Sequence, residues 1–278
     1  MHTIRTLTTL ATDYLQGKNV KNPRREAEEL LAHLLGKKRL DLYLDYDRPL
    51  EKSEVDRFRS LIKRKGNREP LEYIIEEVDF LGCNIKVNSQ VLIPRKETEI
   101  LVHMALKEKL GGVIWDLCTG SGCIGLAVKK HVPAAQLVLT DLSKGALKVA
   151  KSNAERNDLK VNFREGDLLT PFLGERADVV FCNPPYVAEE DFQTLESEVQ
   201  SFEPKMALIA KNRGYEFYER LSADLPEFLN AGARVYLEIG HGQGQKIKQL
   251  FNKKCWKRAA YVNDWAGLER FFLLEFCP

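Results

Sequence analysis

The sequence predicts an α/β protein: a mixed sheet, mostly parallel with an antiparallel last strand, preceded by a helical bundle. Three observations carry this. Residues 1–76 place apolar side chains at helical spacing. From residue 113 onward, apolar strand-like runs alternate with amphipathic helical ones, the pattern of a parallel sheet covered on both faces. Two β-runs close the chain with no convincing helix between them, so they are expected to pair antiparallel at one edge. At 278 residues the chain exceeds the usual single-domain size. The expected division is a bundle at 1–76, a hairpin linker at 77–95 and a larger domain at 96–278.

In the bundle, Ile4, Leu7, Leu10, Ala11, Tyr14 and Leu15 recur at helical spacing, and Gly17 supplies a stop. Asn22 is expected to cap a second helix with Pro23 at its first position, a stripe of Ala27, Leu30, Leu31, Leu34 and Leu35, and Gly36 as its end. A short third segment carries Leu40, Tyr43 and Leu44. A fourth, begun by Ser53 and Asp56, buries Val55, Phe58, Leu61 and Ile62. Around 78–94 the period shortens toward two, with Gly82 as a turn, and "RKETEILVHMALKEKL" returns to helical spacing. Strands then follow in "VIWDLC", "QLVLTDL", "VNFREGDL", "DVVFCN" and "ARVYLEI", with a final pair near 258–263 and 269–276. Helices are expected from about Ser121, over 143–157, near 215–229 and over 243–252.

Composition narrows the function classes. A net charge of +2 argues against a dedicated nucleic-acid binder. Basic and acidic residues nearly balance over 1–80, so the runs at Lys37–Arg39 and Lys63–Lys65 read as solvated helix ends. Cys83, Cys118, Cys123, Cys182, Cys255 and Cys277 form no C-x-x-C pair, and the histidines complete no zinc spacing. Reduced cysteines and no metal are therefore expected. The N-terminal stretch lacks a signal peptide's apolar core and no run is long enough to span a bilayer, so a cytoplasmic protein is expected.

"DLCTGSGCIG" (116–125) joins the first strand of the sheet to its first helix, with Gly120, Gly122 and Gly125 in a G-x-G-x-x-G arrangement. Glycines there allow a tight turn and close approach of backbone N–H groups to a ligand. Asp141 ends the next strand 21 positions after Gly120, where a carboxylate accepts from a ribose diol. A nicotinamide dinucleotide and S-adenosylmethionine satisfy this pattern equally. "FCNPPYV" (181–187) separates them. Two consecutive prolines end the strand and remove two donors, leaving the Asn183 side-chain oxygen and the Asn183 and Pro184 carbonyls as acceptors beside the ring of Tyr186. Hydride transfer calls for an acid or base here, yet no histidine lies between His131 and His241. An acceptor-rich slot suits a planar, NH₂-bearing group instead.

At these residues the sequence resembles the Class I, Rossmann-like AdoMet-dependent methyltransferases that carry Asn-Pro-Pro-Tyr and methylate planar nitrogens. The wider chain is similar to one branch of them. "NPRREAEELLAHLLG" (22–36), "REPLEYI" (68–74), "VLIPRKETE" (91–99), "FEPKMAL" (202–208), "GYEFYERL" (214–221), "LEIGHGQG" (237–244) and "DWAGLERF" (264–271) resemble the bacterial release factor glutamine methyltransferase family, PrmC or HemK. That resemblance implies N5 methylation of the glutamine in the Gly-Gly-Gln loop of class-1 peptide release factors, with the bundle docking that protein. It also implies a monomer needing neither nucleic acid nor membrane. Cys118, Thr119, Gly120, Ser121 and Gly122 would line S-adenosylmethionine, with Asn183 beside them. Asp141 would hold its ribose, and Asp167 and Leu168 would lie beside the adenine. Asn183, Pro184, Pro185 and Tyr186 would hold the glutamine amide, with Asn183, Pro184 and Tyr186 catalytic. Three positions depart from the family pattern: Cys118 replaces a loop glycine, Lys96 a proline, and Leu168 a tryptophan of some members. Nucleic-acid base methylation, the ribosomal-protein glutamine branch and a non-catalytic AdoMet-binding role are the rival readings. Arg95, Glu97, Glu203, Glu238 and His241 are further polar candidates, with Glu203 expected in a helix start or ion pair and His241 structural.

Overall fold

The computed structural model describes residues 2–278, which divide into two units. One holds the residues up to Glu76 together with Glu196–Phe202; the other holds Glu77–Leu195 and Glu203–Pro278.

The first unit is built from α1 (Ile4–Gly17), α2 (Pro23–Leu35), α3 (Lys52–Gly66) and α4 (Leu71–Ile75), with the short helix Ser197–Phe202. Thr3 and Thr6 cap α1 reciprocally, and its buried stripe includes Ile4, Leu7, Ala11 and Leu15. Leu10 and Tyr14, at the same spacing, face solvent at 54% and 41% exposure. Pro23 and Gly36 bound α2 as expected, but Asn22 sits in left-handed backbone and its side chain makes no capping bond. The third segment is a single 3₁₀ turn, Arg39–Tyr43, that buries Leu42 and leaves Leu40 and Leu44 exposed. α3 starts one residue before Ser53, because Glu51 and Glu54 form the reciprocal cap. Leu30, Leu31, Phe58 and Ile62 pack at the centre of this unit.

A buried carboxylate ties the bundle together. Glu28 on α2 is 1% exposed and accepts from Tyr43 Oη at 2.6 Å, Arg39 Nη1 at 2.7 Å and Arg24 Nε at 3.0 Å.

In the second unit a hairpin of Glu77–Phe80 and Cys83–Lys86 precedes the helix Lys96–Leu106. The main sheet follows: β1 (Val113–Leu117), β2 (Gln136–Asp141), β3 (Asn162–Glu165), β4 (Ala177–Cys182), β5 (Leu229–Glu238), β6 (Trp256–Asn263) and β7 (Glu269–Phe276). Their order is β6-β7-β5-β4-β1-β2-β3. β1 to β5 run parallel, and β7 lies antiparallel between β5 and β6, as the two helix-free final runs predict. Trp115, Leu117, Val180, Cys182, Val235 and Leu237 belong to one core cluster, where Trp115 stacks on Phe172 with ring centroids 3.8 Å apart. Phe181 stacks on Tyr236 at 5.0 Å. The strand order reverses at β1, whose neighbours are β2 and β4, so the carboxyl ends of β1 and β4 flank the crevice where open α/β sheets bind ligands.

Burial alone would raise the pKa of Glu28, but the hydrogen bonds from Tyr43, Arg24 and Arg39 outweigh it and leave the group below the ordinary glutamate range. Such a group stabilises the fold above its unfolded pKa of about 4.3, and that contribution is lost as pH falls through the depressed folded value. Glu28→Ala is expected to lower the unfolding free energy by about 2–3 kcal/mol near neutral pH. The gap should shrink in acid, and urea titrations of both proteins across that range measure it.

Candidate active site

At the carboxyl end of β1 the chain turns through Cys118–Gly122 into the helix Cys123–His131. Cys118 has φ +54°, in the left-handed region that costs an L-residue about 1–2 kcal/mol and glycine almost nothing. A glycine here would carry no such cost, and the cysteine is held in this conformation by packing on the core. Asp116, fully buried on β1, anchors the turn: Oδ2 accepts from Thr119 Oγ1 at 2.5 Å and Gly125 N at 2.9 Å. Its Oδ1 is buried with no partner among the described residues. Burial, only partly offset by those hydrogen bonds, pushes its pKa up to about 7. A Cβ on Gly125 would lie 2.8 Å from Leu139 Cδ1 and 2.9 Å from Asp116 Oδ2, so only glycine lets the helix sit this close to the sheet.

Asp141 ends β2 and lines the same cleft. Its Oδ2 accepts from Gly120 N and its Oδ1 from Ser143 N, both at 2.8 Å. Burial raises its pKa against the pull of these backbone donors. Each oxygen keeps a lone pair for a further donor, which fits a ribose diol.

The cleft contains about 980 Å³ of open space, its mouth included. Of the residues singled out from sequence, Cys118, Thr119, Gly120, Ser121, Asp141, Asp167, Leu168, Asn183 and Pro185 line it; Gly122, Pro184 and Tyr186 are not among its lining. Asn183 is half-buried, and its side chain makes no hydrogen bond among the described residues, whereas Pro184 is buried. The Tyr186 hydroxyl donates to Glu238 Oε1 at 3.4 Å, and its ring packs on the core. Burial first, and then Glu238, raise the phenol's pKa and keep it protonated. Asp167 is held by Arg220 Nη2 at 2.7 Å.

Three parts of the wall carry no cofactor motif in the sequence: the segment with Gln90, Val91, Pro94, Arg95 and Thr98, the turn with Met206 and Ala207, and Phe217. Glu203, 5% exposed, ties the first two: Oε2 accepts from Ile93 N at 3.1 Å and Oε1 from Arg95 Nη2 at 2.5 Å. It is an ion-pair carboxylate, as one of its two sequence readings has it. Glu238, fully buried at the end of β5, accepts from Thr98 Oγ1 at 2.6 Å, and burial raises its pKa. His241 is exposed and Glu97 half-buried.

Fold and cleft together define a methyltransferase of the open α/β type. The "Methyltransferase small domain" family matches residues 95–202 and the "PrmC N-terminal domain" family residues 6–75. The release factor glutamine methyltransferase of Chlamydia trachomatis serovar D is 42% identical over 272 residues, 95% of this chain and 91% of that one. That of Geobacter sulfurreducens is 37% identical over 269 residues, 96% and 95% of the two chains. A methyltransferase structure from Pyrococcus furiosus has the same fold, with a TM-score of 0.53, 19% identity and coverage of 71% and 90%. The chain belongs to the release factor glutamine methyltransferase family.

Asp116 has a folded pKa above its unfolded value of about 3.9, so its contribution to stability is complete below that value and is lost as pH rises through about 7. Asp116→Asn, which cannot ionise, is expected to hold its stability between about pH 5 and pH 8, where the parent chain loses roughly 3 kcal/mol. Denaturation midpoints of the cofactor-free proteins check this, and identical pH slopes would contradict it.

Proposed function

We propose that this chain transfers a methyl group from S-adenosylmethionine to the N5 side-chain amide nitrogen of the glutamine in the Gly-Gly-Gln loop of class-1 peptide chain release factors, leaving S-adenosylhomocysteine. The observation that carries the reading is the junction of two loops in one cleft. The glycine turn after β1, backed by Asp141, and the Asn-Pro-Pro-Tyr elbow after β4 leave neighbouring parallel strands at the same end of the sheet. Membership of the family supplies the substrate class.

Bound S-adenosylmethionine supplies an electrophilic methyl on a sulfonium. Asp141 would hold the ribose, Asp167 and Leu168 would flank the adenine, and Cys118 to Gly122 would line the amino-acid tail. A carboxamide nitrogen is a poor nucleophile because its lone pair is delocalised into the carbonyl. The Asn183 side-chain oxygen and the Pro184 carbonyl accept its two N–H groups, turn the lone pair toward the methyl and favour the positive charge that grows on nitrogen. Orientation of this kind is worth on the order of 7–11 kcal/mol. No strong base is needed before attack, since the nitrogen becomes acidic once alkylated and its proton passes to water. Tyr186 flanks the amide from a fixed position. The helical bundle docks the release factor, and the chain acts as a cytoplasmic monomer without nucleic acid.

A release factor bearing Gly-Gly-Gln is expected to take up label from methyl-labelled S-adenosylmethionine. Asn183→Ala should lower kcat by about 10²–10³-fold, the loss typical of one preorganised transition-state partner. The decisive comparison offers the release factor, bare DNA and rRNA side by side: label in nucleic acid with the release factor untouched would overturn the assignment.

A further inference from the structure

Tyr186 is gripped from two ends by groups that the reaction above does not use. Its carbonyl accepts from Gln243 Nε2 at 3.0 Å, and Gln243 Oε1 accepts from Gly240 N at 2.8 Å. Its hydroxyl reaches Glu238. Gln243 is 8% exposed, and its amide is a buried spacer that gives one donated and one accepted hydrogen bond to two different backbones. One backbone is the elbow after β4; the other is the loop after β5.

The fit is close on every side. Gly214 has φ +87°, and a Cβ there would stand 2.3 Å from the Tyr186 oxygen and 2.7 Å from Gln243 Nε2. A Cβ on Gly240 would stand 2.9 Å from Gln243 Oε1 and 3.3 Å from Tyr186 Cδ2. One residue downstream, Val187 N donates to Leu208 O at 2.9 Å and opens a two-stranded ribbon with Ile209–Ala210. The downstream half of the elbow is thus bonded at Tyr186 O, Tyr186 Oη and Val187 N, while the Asn183 amide upstream is left free.

We propose that Gln243 is a positioning residue for methyl transfer. Its amide fixes the Pro185–Tyr186 backbone against the loop after β5, and through it the direction in which the Pro184 carbonyl and the Asn183 side chain point. The inference rests on the function proposed above. It requires a neutral amide at this position. A carboxylate could still accept from Gly240 N, but it would set one oxygen against the Tyr186 carbonyl with no proton between them; a protonated carboxyl would restore that donor.

Gln243→Met and Gln243→Glu of the full chain test it. Three quantities are read: affinity for S-adenosylmethionine by equilibrium dialysis, single-turnover methylation of a release factor across pH, and hydrogen exchange of the Val187 amide. Gln243→Met is expected to lose about 10–100-fold in the methylation rate, as small misplacements do. Its cofactor affinity should stay within about twofold of the parent, with faster exchange at Val187. Gln243→Glu should recover rate relative to the parent as pH falls, a rise that Gln243→Met lacks. An unchanged methylation rate in Gln243→Met, or the same pH profile in both variants, would overturn the proposal. If Gln243→Met does not fold, the pH profile of Gln243→Glu decides. If the parent chain leaves the release factor unmethylated, the functional reading fails by itself; Val187 exchange then decides the clamp, faster in Gln243→Met supporting it and unchanged refuting it.

Discussion

The parallel pairing of β1 with β4 is the constraint on which the site depends. Leu117 lies opposite Cys182, so the glycine turn and the proline elbow leave the sheet at the same level, one strand spacing apart. A slip of one residue in that register would turn every side chain of one strand to the opposite face. Trp115 or Val180, whichever lay on the slipped strand, would then leave the core cluster they share, so the hydrophobic register of the sheet is also what aligns the chemistry at its edge.

The loops around the cleft are irregular, and their backbone donors need partners. Buried and half-buried carboxyls supply them. Asp116 takes a hydroxyl of the glycine turn and an amide of the helix that follows it, Asp141 takes Gly120 and Ser143, and Glu203 takes Ile93 and the guanidinium of Arg95. Glu238 does the same with hydroxyls, accepting from Thr98 and Tyr186. Each carboxyl carries a desolvation penalty, yet each converts a flexible segment into a wall of fixed shape. Preorganisation of a cleft that uses no histidine is therefore distributed over acids that touch loops.

The architecture was legible because strands buried on both faces and amphipathic helices leave strong patterns. The glycine turn, Asp141 and Asn183 were legible because special backbone and unpaired acceptors demand particular residue types. What escaped was set by contacts distant in sequence or by competition between near neighbours. Ser53 is a good cap, but Glu51 and Glu54 satisfy each other with the cap two residues earlier. Leu40 and Leu44 look like core residues, but a single 3₁₀ turn can bury only Leu42 between them. Gln243 sits among glycines and a histidine, and nothing local shows that its partner is the carbonyl of Tyr186, 57 positions away. Glu203 likewise acquires meaning only from Ile93 and Arg95.

Seven residues between the ribbon strand Val187–Ala188 and Glu203 belong with the bundle, not with the sheet that precedes and follows them. Within that segment Glu196 meets Lys21 at 2.6 Å, and Glu198 shares the buried Lys65 ammonium with Glu26, each at 3.4 Å. The bundle is therefore an interrupted module, completed by a stitch of chain borrowed from far downstream. Severing the polypeptide after Glu76, or transplanting its leading helices onto another enzyme, would strand a buried cation with half of its counter-charge.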